Sequence, residues 1–257
     1  MTDFSGKVAV VTGGSSGIGA VTARALAAHG ATVAVVASSD VKKAAAIVDD
    51  IRSKGGKAEP YAVDVRDAEA VRTLISAIEK KFGGIDILVN AAGVFQPSPP
   101  GNTPRELTDR MIDINVKGTW NCVQAAIDPL KRRGGGKILN FASVAGLTGV
   151  KGMAVYCASK AAIVMMTKVL AAELAPFNIN VNALAPGNTA TPMNENIRTD
   201  PAMRDMMEGM KRITPSGVTF SQPEEIVEAA LYLLSPAARP VHGSTLVIDE
   251  GISAAIG

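Results

Sequence analysis

Tyr156 and Lys160 stand four residues apart in the run Tyr156-Cys157-Ala158-Ser159-Lys160. On a helix, positions i and i+4 share a face, with Cβ atoms roughly 5–6 Å apart, so a phenol would lie beside an ammonium. A free tyrosine has a pKa of about 10, too high for easy proton exchange at neutral pH. A neighbouring cation favours the phenolate and lowers that value, which makes Tyr156 a candidate general acid/base. The pair alone equally describes a tyrosine packed at a helix end beside a solvated lysine, so other residues must decide. Ser143 follows a predicted strand at 137–141, which places it at the strand edge where α/β sheets bind ligands. Asn115 falls inside a long predicted helix, about 104–130, within Ile112-Asp113-Ile114-Asn115-Val116. Asparagine competes for backbone hydrogen bonds in a helix. Either the helix kinks there, or exposes a carbonyl that holds water, or the side chain is buried and satisfied by backbone.

The elements that must position these groups begin at the N-terminus. Residues 7–12 read as a buried strand, apolar through Val8, Ala9, Val10 and Val11. The strand runs into Thr12-Gly13-Gly14-Ser15-Ser16-Gly17-Ile18-Gly19 and then an alanine-rich helix to about residue 29. Strand, glycine turn and helix open a dinucleotide-binding unit, in which the helix N-terminus attracts a pyrophosphate. The bland alternative is a glycine turn without a ligand. A second strand, 32–37, ends in Ala37-Ser38-Ser39 with no carboxylate where one would select NAD. Asp40 is expected to cap the next helix, while Ser38 and Ser39, with Lys42 or Lys43, could accommodate a 2′-phosphate. This favours NADP over NAD, unless the two serines only make a turn.

Predicted helices at 41–54 and 68–82, strands at 57–63 and 85–89, a catalytic helix at about 154–175, a strand at 178–184, a helix at 224–234 and a strand at 244–249 complete the alternation. It argues for one α/β domain built on a doubly wound parallel sheet of about seven strands, flanked by helices in three layers. Residues 190–215 are polar but hold Met193, Met203, Met206, Met207 and Met210. Methionines at such spacing pack cores, or in a substrate lid make a pliable apolar wall. With Phe95, this points to a fairly apolar small substrate.

Composition excludes other classes. The 257 residues are 47% hydrophobic and 19% charged, with a formal net charge of +2. No basic footprint for nucleic acid is present. The N-terminus lacks a signal-peptide core, and no apolar run is expected to reach the roughly 20 residues of a membrane helix. Cys122 and Cys157 make no disulfide framework, so a cytoplasmic protein is expected. His29 and His242 have no ligand-spaced partners, so no metal site is expected.

Taken in order, Thr12-Gly-x3-Gly17-x-Gly19, Asn90-Ala91-Ala92-Gly93, Asn115, Ser143, Tyr156-x3-Lys160 and Pro186-Gly187 resemble the short-chain dehydrogenase/reductase family over essentially the whole chain. The resemblance implies a Rossmann-like domain and hydride transfer between a nicotinamide and an alcohol or ketone carbon. It implies that Tyr156 exchanges a proton with the substrate oxygen, Ser143 polarises that oxygen, Lys160 lowers the Tyr156 pKa and binds the nicotinamide ribose, and Asn115 holds a water joining Lys160 to solvent. Gly13, Ser15, Ser16, Gly17, Ile18, Gly19, Ser38, Ser39, Asp64, Val65, Asn90, Ala91, Ala92, Gly93, Pro186, Gly187, Thr189 and Thr191 would line the cofactor. A homotetramer or homodimer is implied, with the helices of Asn115 and Tyr156 at an interface and close approach around Ala161, Ala171 and Ala172. The Ala37-Ser38-Ser39 strand end is similar to that of 3-oxoacyl-[acyl-carrier-protein] reductases, an alternative activity. Against it, Ala91 replaces a family asparagine, and Ala172 stands where those reductases carry an arginine. His242 and Glu250 are further departures, Glu250 being awkward if its φ is positive. A non-catalytic sensor of nicotinamide nucleotides is a third reading, which the intact Ser143, Tyr156 and Lys160 speak against.

Overall fold

The computed structural model describes residues 3–254. Seven strands form one parallel sheet in the order β3-β2-β1-β4-β5-β6-β7. They are β1 (Val8–Thr12), β2 (Thr32–Ala37), β3 (Lys57–Ala62), β4 (Ile87–Asn90), β5 (Gly136–Phe141), β6 (Ile179–Pro186) and β7 (Thr245–Ile248). The helices are α1 (Gly17–Ala28), α2 (Val41–Ser53), α3 (Ala68–Phe82), α4 (Arg105–Ile112), α5 (Thr119–Arg132), α6 (Ala154–Leu174), α7 (Glu195–Thr199), α8 (Arg204–Arg212) and α9 (Pro223–Leu234).

Side-chain alternation along the strands builds the three layers. Ala9 and Val11 of β1 enter the core beneath α1, α2 and α9, while Val8 and Val10 enter the core beneath α3, α5 and α6. Strands covered on both faces tend to be apolar on both, as β1 is up to Thr12; the equally buried β6 also carries Asn180 and Asn182, whose side-chain amides donate to Val241 O at 2.8 and 2.9 Å. Burying one leucine or isoleucine such as Leu26, Ile78 or Leu139 stabilises the fold by about 1.5–3 kcal/mol. Local signals set the helix ends: Asp40 accepts from the Lys42 amide to cap α2, Asp67 accepts from Glu69 and Ala70 to cap α3, and Gly83, at φ 78°, closes α3 in the left-handed region.

Three expectations change. The long helix expected at about 104–130 is α4 and α5 joined by a π-helical turn, Asp113–Gly118, centred near Asn115. The polar 190–215 segment contains the short helices α7 and α8. The stretch Ala154–Phe177, α6 plus a 3-10 turn, does have the length and apolarity of a membrane span. Part of that apolar character follows from its place against the sheet, where Ile163, Thr167, Leu170 and Leu174 are buried and α6 packs on β6; the rest is exposed, as at Met165 and Val169.

Candidate active site

The predicted site residues lie where the parallel strands end. Strand order runs β3-β2-β1-β4-β5-β6, so their C-terminal loops form one line of loops across the reversal between β1 and β4. Asp64 and Val65 follow β3, Ser38 and Ser39 follow β2, and the glycine turn follows β1. Asn90 to Gly93 close β4, Ser143 follows β5, and Pro186 ends β6. A groove at such a reversal is where open α/β sheets bind ligands.

The glycine turn is shaped by close packing. Gly13 has φ 65°, and a Cβ there would fall 2.7 Å from the Ala91 carbonyl. One on Gly19 would fall 2.3 Å from the Gly13 oxygen. Ala91 and Ala92 are tied back to β1, through Ala91 N to Thr12 O at 3.2 Å and Ala92 N to Thr12 Oγ1 at 3.4 Å. Ser16 starts α1 without a side-chain cap, so the first-turn amides around Ile18 and Gly19 remain as donors to an anion. Thr191 comes over this turn from the loop after β6, with its Cβ 3.5 Å from the place a Gly17 Cβ would take. That loop is fixed by Gly187 N to Ile248 O at 2.8 Å and by a bridge between Thr189 and Ser221. These features fit a dinucleotide whose pyrophosphate lies against α1.

At the β3 end, Val65 turns its side chain into the core, and Asp64 is held bidentately by Arg66. That pairing keeps the Asp64 carboxyl below its usual range. Ser38 and Ser39 are exposed, as are Lys42 and Lys43 on the first turn of α2. Asp40 is engaged as the α2 cap, as its position predicts.

Around β5, hydrogen bonds join three elements. Asn115 is 1% exposed. Its Oδ1 accepts from Val94 N at 2.8 Å, and its Nδ2 donates to Val94 O at 3.0 Å and Ser159 Oγ at 3.1 Å. Its own carbonyl accepts from Thr119 Oγ1 at 2.8 Å. Kink and backbone satisfaction therefore occur together: the π turn presents a buried amide that splints the β4 loop to α6. Asn90 donates to Asn140 Oδ1 at 2.9 Å, and Asn140 donates to Thr167 Oγ1 at 2.9 Å. The buried Asn90 Oδ1 has no protein partner, an unmet acceptor at the β4 end of the groove.

Lys160 is buried, and its ammonium donates to Phe141 O at 2.7 Å. Burial brings its pKa down to about 8. The ammonium lies 5.8 Å from the centroid of the Tyr156 ring, so the predicted pair does share a helix face. The expected depression of the Tyr156 pKa is not found. Burial pushes this phenol up to about 12, and the nearby Ser143 hydroxyl offsets only part of that rise. The desolvation cost of a phenolate outweighs the stabilisation it gains from the Ser143 hydrogen bond. Ser143 caps the turn Val144–Gly146, its Oγ accepting from Ala145 N at 3.2 Å.

Phe95 meets Tyr156 edge to face, with ring centroids 5.0 Å apart. A cavity of about 280 Å³ opens beside Phe95, lined also by Ser16, Gly93, Val94, Gln96, Arg110 and Met193. Arg110 and Gln96 were not singled out by sequence, because nothing local reveals that a residue of α4 faces the end of the glycine turn. They make the wall more polar than Phe95 and the methionines alone imply. Among the described residues no cluster of metal-ligating side chains occurs.

Residues 7–202 match the short chain dehydrogenase family profile. The chain is 38% identical to an NAD-dependent glycerol dehydrogenase of Listeria innocua, an alignment covering 97% of this chain and 94% of that one. It is 35% identical to the 3-oxoacyl-[acyl-carrier-protein] reductase FabG of Thermotoga maritima, over 97% and 98% of the two chains. Its fold superposes on a gluconate 5-dehydrogenase from Burkholderia cenocepacia, solved with NADP and tartrate, with a TM-score of 0.92 and 33% identity over 99% and 98% of the chains. The relatives are dehydrogenases and reductases that act on CH–OH groups with NAD(P), and this chain is such an oxidoreductase of alcohols and ketones. The profile match over most of the chain, and relatives of more than 30% identity over nearly all of it, show that the chain belongs to the short chain dehydrogenase family.

Proposed function

We propose that the chain is an NADP(H)-dependent oxidoreductase that interconverts a secondary alcohol and its ketone, with Tyr156 as the general acid/base. One juxtaposition carries this reading: the Ser143 hydroxyl beside the Tyr156 phenol, with the Lys160 ammonium anchored behind them on Phe141 O. Ser143 donates a hydrogen bond to the substrate oxygen. In reduction Tyr156 gives its proton to that oxygen, and in oxidation it takes the alcohol proton. At a pKa of about 12 the phenol is protonated at neutral pH, the form the acid role starts from, but giving that proton up also requires the phenolate to be stabilised. As base it depends on the Lys160 charge to stabilise the phenolate. The Asn115 carbonyl, which accepts from Thr119 Oγ1, would hold a water that joins Lys160 to solvent. A bound nicotinamide dinucleotide would supply or accept the hydride; Gly13, Ser15, Gly17, Ile18 and Gly19 would hold its pyrophosphate and Pro186, Gly187, Thr189 and Thr191 its carboxamide end.

Residues 190–215 act as a lid, contributing Met193 to the substrate cavity. The substrate is small, and the mixed wall of Phe95, Gln96 and Arg110 fits an alcohol with both apolar and polar parts. Ala172 is exposed on α6 and offers no cation to an acidic carrier protein, which favours a free small molecule over an acyl-carrier substrate. We place the protein in the cytoplasm as a homotetramer or homodimer.

Replacing Tyr156 with Phe keeps the ring packing and removes the proton. General acid/base catalysis contributes about 10²–10⁴-fold, so Y156F should lose about that much kcat on a panel of alcohols and ketones, with cofactor affinity retained by fluorescence titration. Near-normal turnover would refute the assignment. For the cofactor, catalytic efficiency on one substrate should favour NADPH over NADH, and Ser38→Asp should reverse the order by repelling the 2′-phosphate. A wild-type preference for NADH would overturn the Ser38 argument.

A further inference from the structure

The edge of the sheet opposite the catalytic groove carries a second cavity, of about 310 Å³, at the N-terminal ends of β1, β4, β5 and β6. Four cations line it, Lys7, Arg133, Lys137 and Arg239, with only two carboxylates, Asp3 and Asp86. The buried Asp86 is engaged three times, by Lys7 at 3.1 Å, Arg133 at 3.2 Å and the Val8 amide at 3.0 Å. Among the described residues no carboxylate pairs with Lys137 or Arg239. Lys137 is half-buried and held in place by the buried Asn180, whose Oδ1 accepts from its ammonium at 2.8 Å. Its pKa lies below the usual lysine value through burial and the adjacent Arg239 charge. Like charges that converge on a cavity repel one another unless an anion lies between them. The backbone amides of Gly134, Gly135 and Gly136 are already bonded to Lys131, Leu130 and Asn178, so the side-chain cations are the donors left for a ligand. Phe4, Ile87 and Leu234 supply apolar walls.

We propose that this cavity is a binding site for a small phosphate monoester, its dianion between Lys137 and Arg239 and its organic part against Phe4, Ile87 and Leu234. The site is independent of the catalytic assignment.

Isothermal titration at constant ionic strength, with the full-length protein saturated with NADP so that the catalytic groove is filled, tests it. Glycerol 3-phosphate is the probe, inorganic phosphate the comparison and chloride the control. Saturable binding of glycerol 3-phosphate is expected, tighter than inorganic phosphate and absent with chloride. Arg239→Gln changes an exposed side chain, so folding should be retained; it should weaken binding at least tenfold, and Lys137→Gln should do the same. Arg239→Lys should restore most of the affinity. Turnover of alcohols should be unchanged in all three. Unaltered affinity in R239Q, or equal binding of inorganic phosphate and chloride, would overturn the proposal.

Discussion

Burial of the Lys160 ammonium makes the folded state sensitive to pH in a definite direction. Its pKa falls from the ordinary 10.5 to about 8; at 1.36 kcal/mol per unit this is a penalty on the order of 3 kcal/mol for keeping the charged form in place. The folded pKa lies below the unfolded one, so the penalty is complete below about pH 8. Between about pH 8 and 10.5 the folded lysine is neutral while the unfolded one still binds a proton, and stability rises with pH. Compared with Lys160→Met, the wild type should gain stability between pH 8 and pH 10, on the order of 1–2 kcal/mol, in urea titrations of both proteins. A difference that stays flat across that range would contradict the burial argument. The i, i+4 spacing of Tyr156 and Lys160 was legible in the sequence because helical geometry is local. The direction of the Tyr156 shift was not, because it depends on how many atoms from β5, the turn after it and the β4 loop close around the phenol.

Elements were legible where a local signal fixes them: the cap Asp40, the helix expected at 68–82 and the apolar strands all fall within a few residues of their expected places. The π turn was only half legible. Asn115 marks an anomaly in a helix, but its two bonds to Val94 and one to Ser159 reach the loop after β4 and helix α6, each more than twenty residues away in the chain. The helices α7 and α8 were missed because methionines and charges over 190–215 show no clear period over so short a span. Strain of the turn after β5 offers a test at this scale. A Cβ on Gly146 would sit 2.6 Å from the Lys160 carbonyl carbon, backbone against backbone, so the turn that carries Ser143 must move away from α6. Overpacking of this kind costs about 1–3 kcal/mol. Gly146→Ala should lower the melting temperature by several degrees and reduce kcat more than cofactor affinity, since Ser143 shifts relative to Tyr156 while the glycine turn stays in place. Unchanged kcat would show that Ser143 is positioned without this contact.

Across the whole molecule, the two helical layers leave the outer side of α6 apolar. Met165 and Val169, one turn apart, are 58% and 49% exposed, and Trp120, at the start of α5 beside the π turn that touches α6, is 42% exposed. Neighbouring Ala161 and Ala172 are also exposed and small enough for close helix approach, whereas Ala171, expected on this face, is buried in the core. Apolar side chains gathered on one face, rather than scattered singly, mark an interaction surface. In the proposed homotetramer or homodimer, α5 and α6 would be the faces that meet; the alanine-rich sequence does not separate such a face from ordinary core packing, since both use small residues at helical spacing. In a two-fold interface each residue is used twice, so a single added charge is doubled and desolvated. Met165→Glu combined with Val169→Glu should therefore reduce the sedimentation-velocity mass at micromolar concentration by half or more, while the circular dichroism of the separated subunits stays native. A wild type that sediments as a monomer, or a double variant that keeps the wild-type mass, would place the assembly surface elsewhere or remove it.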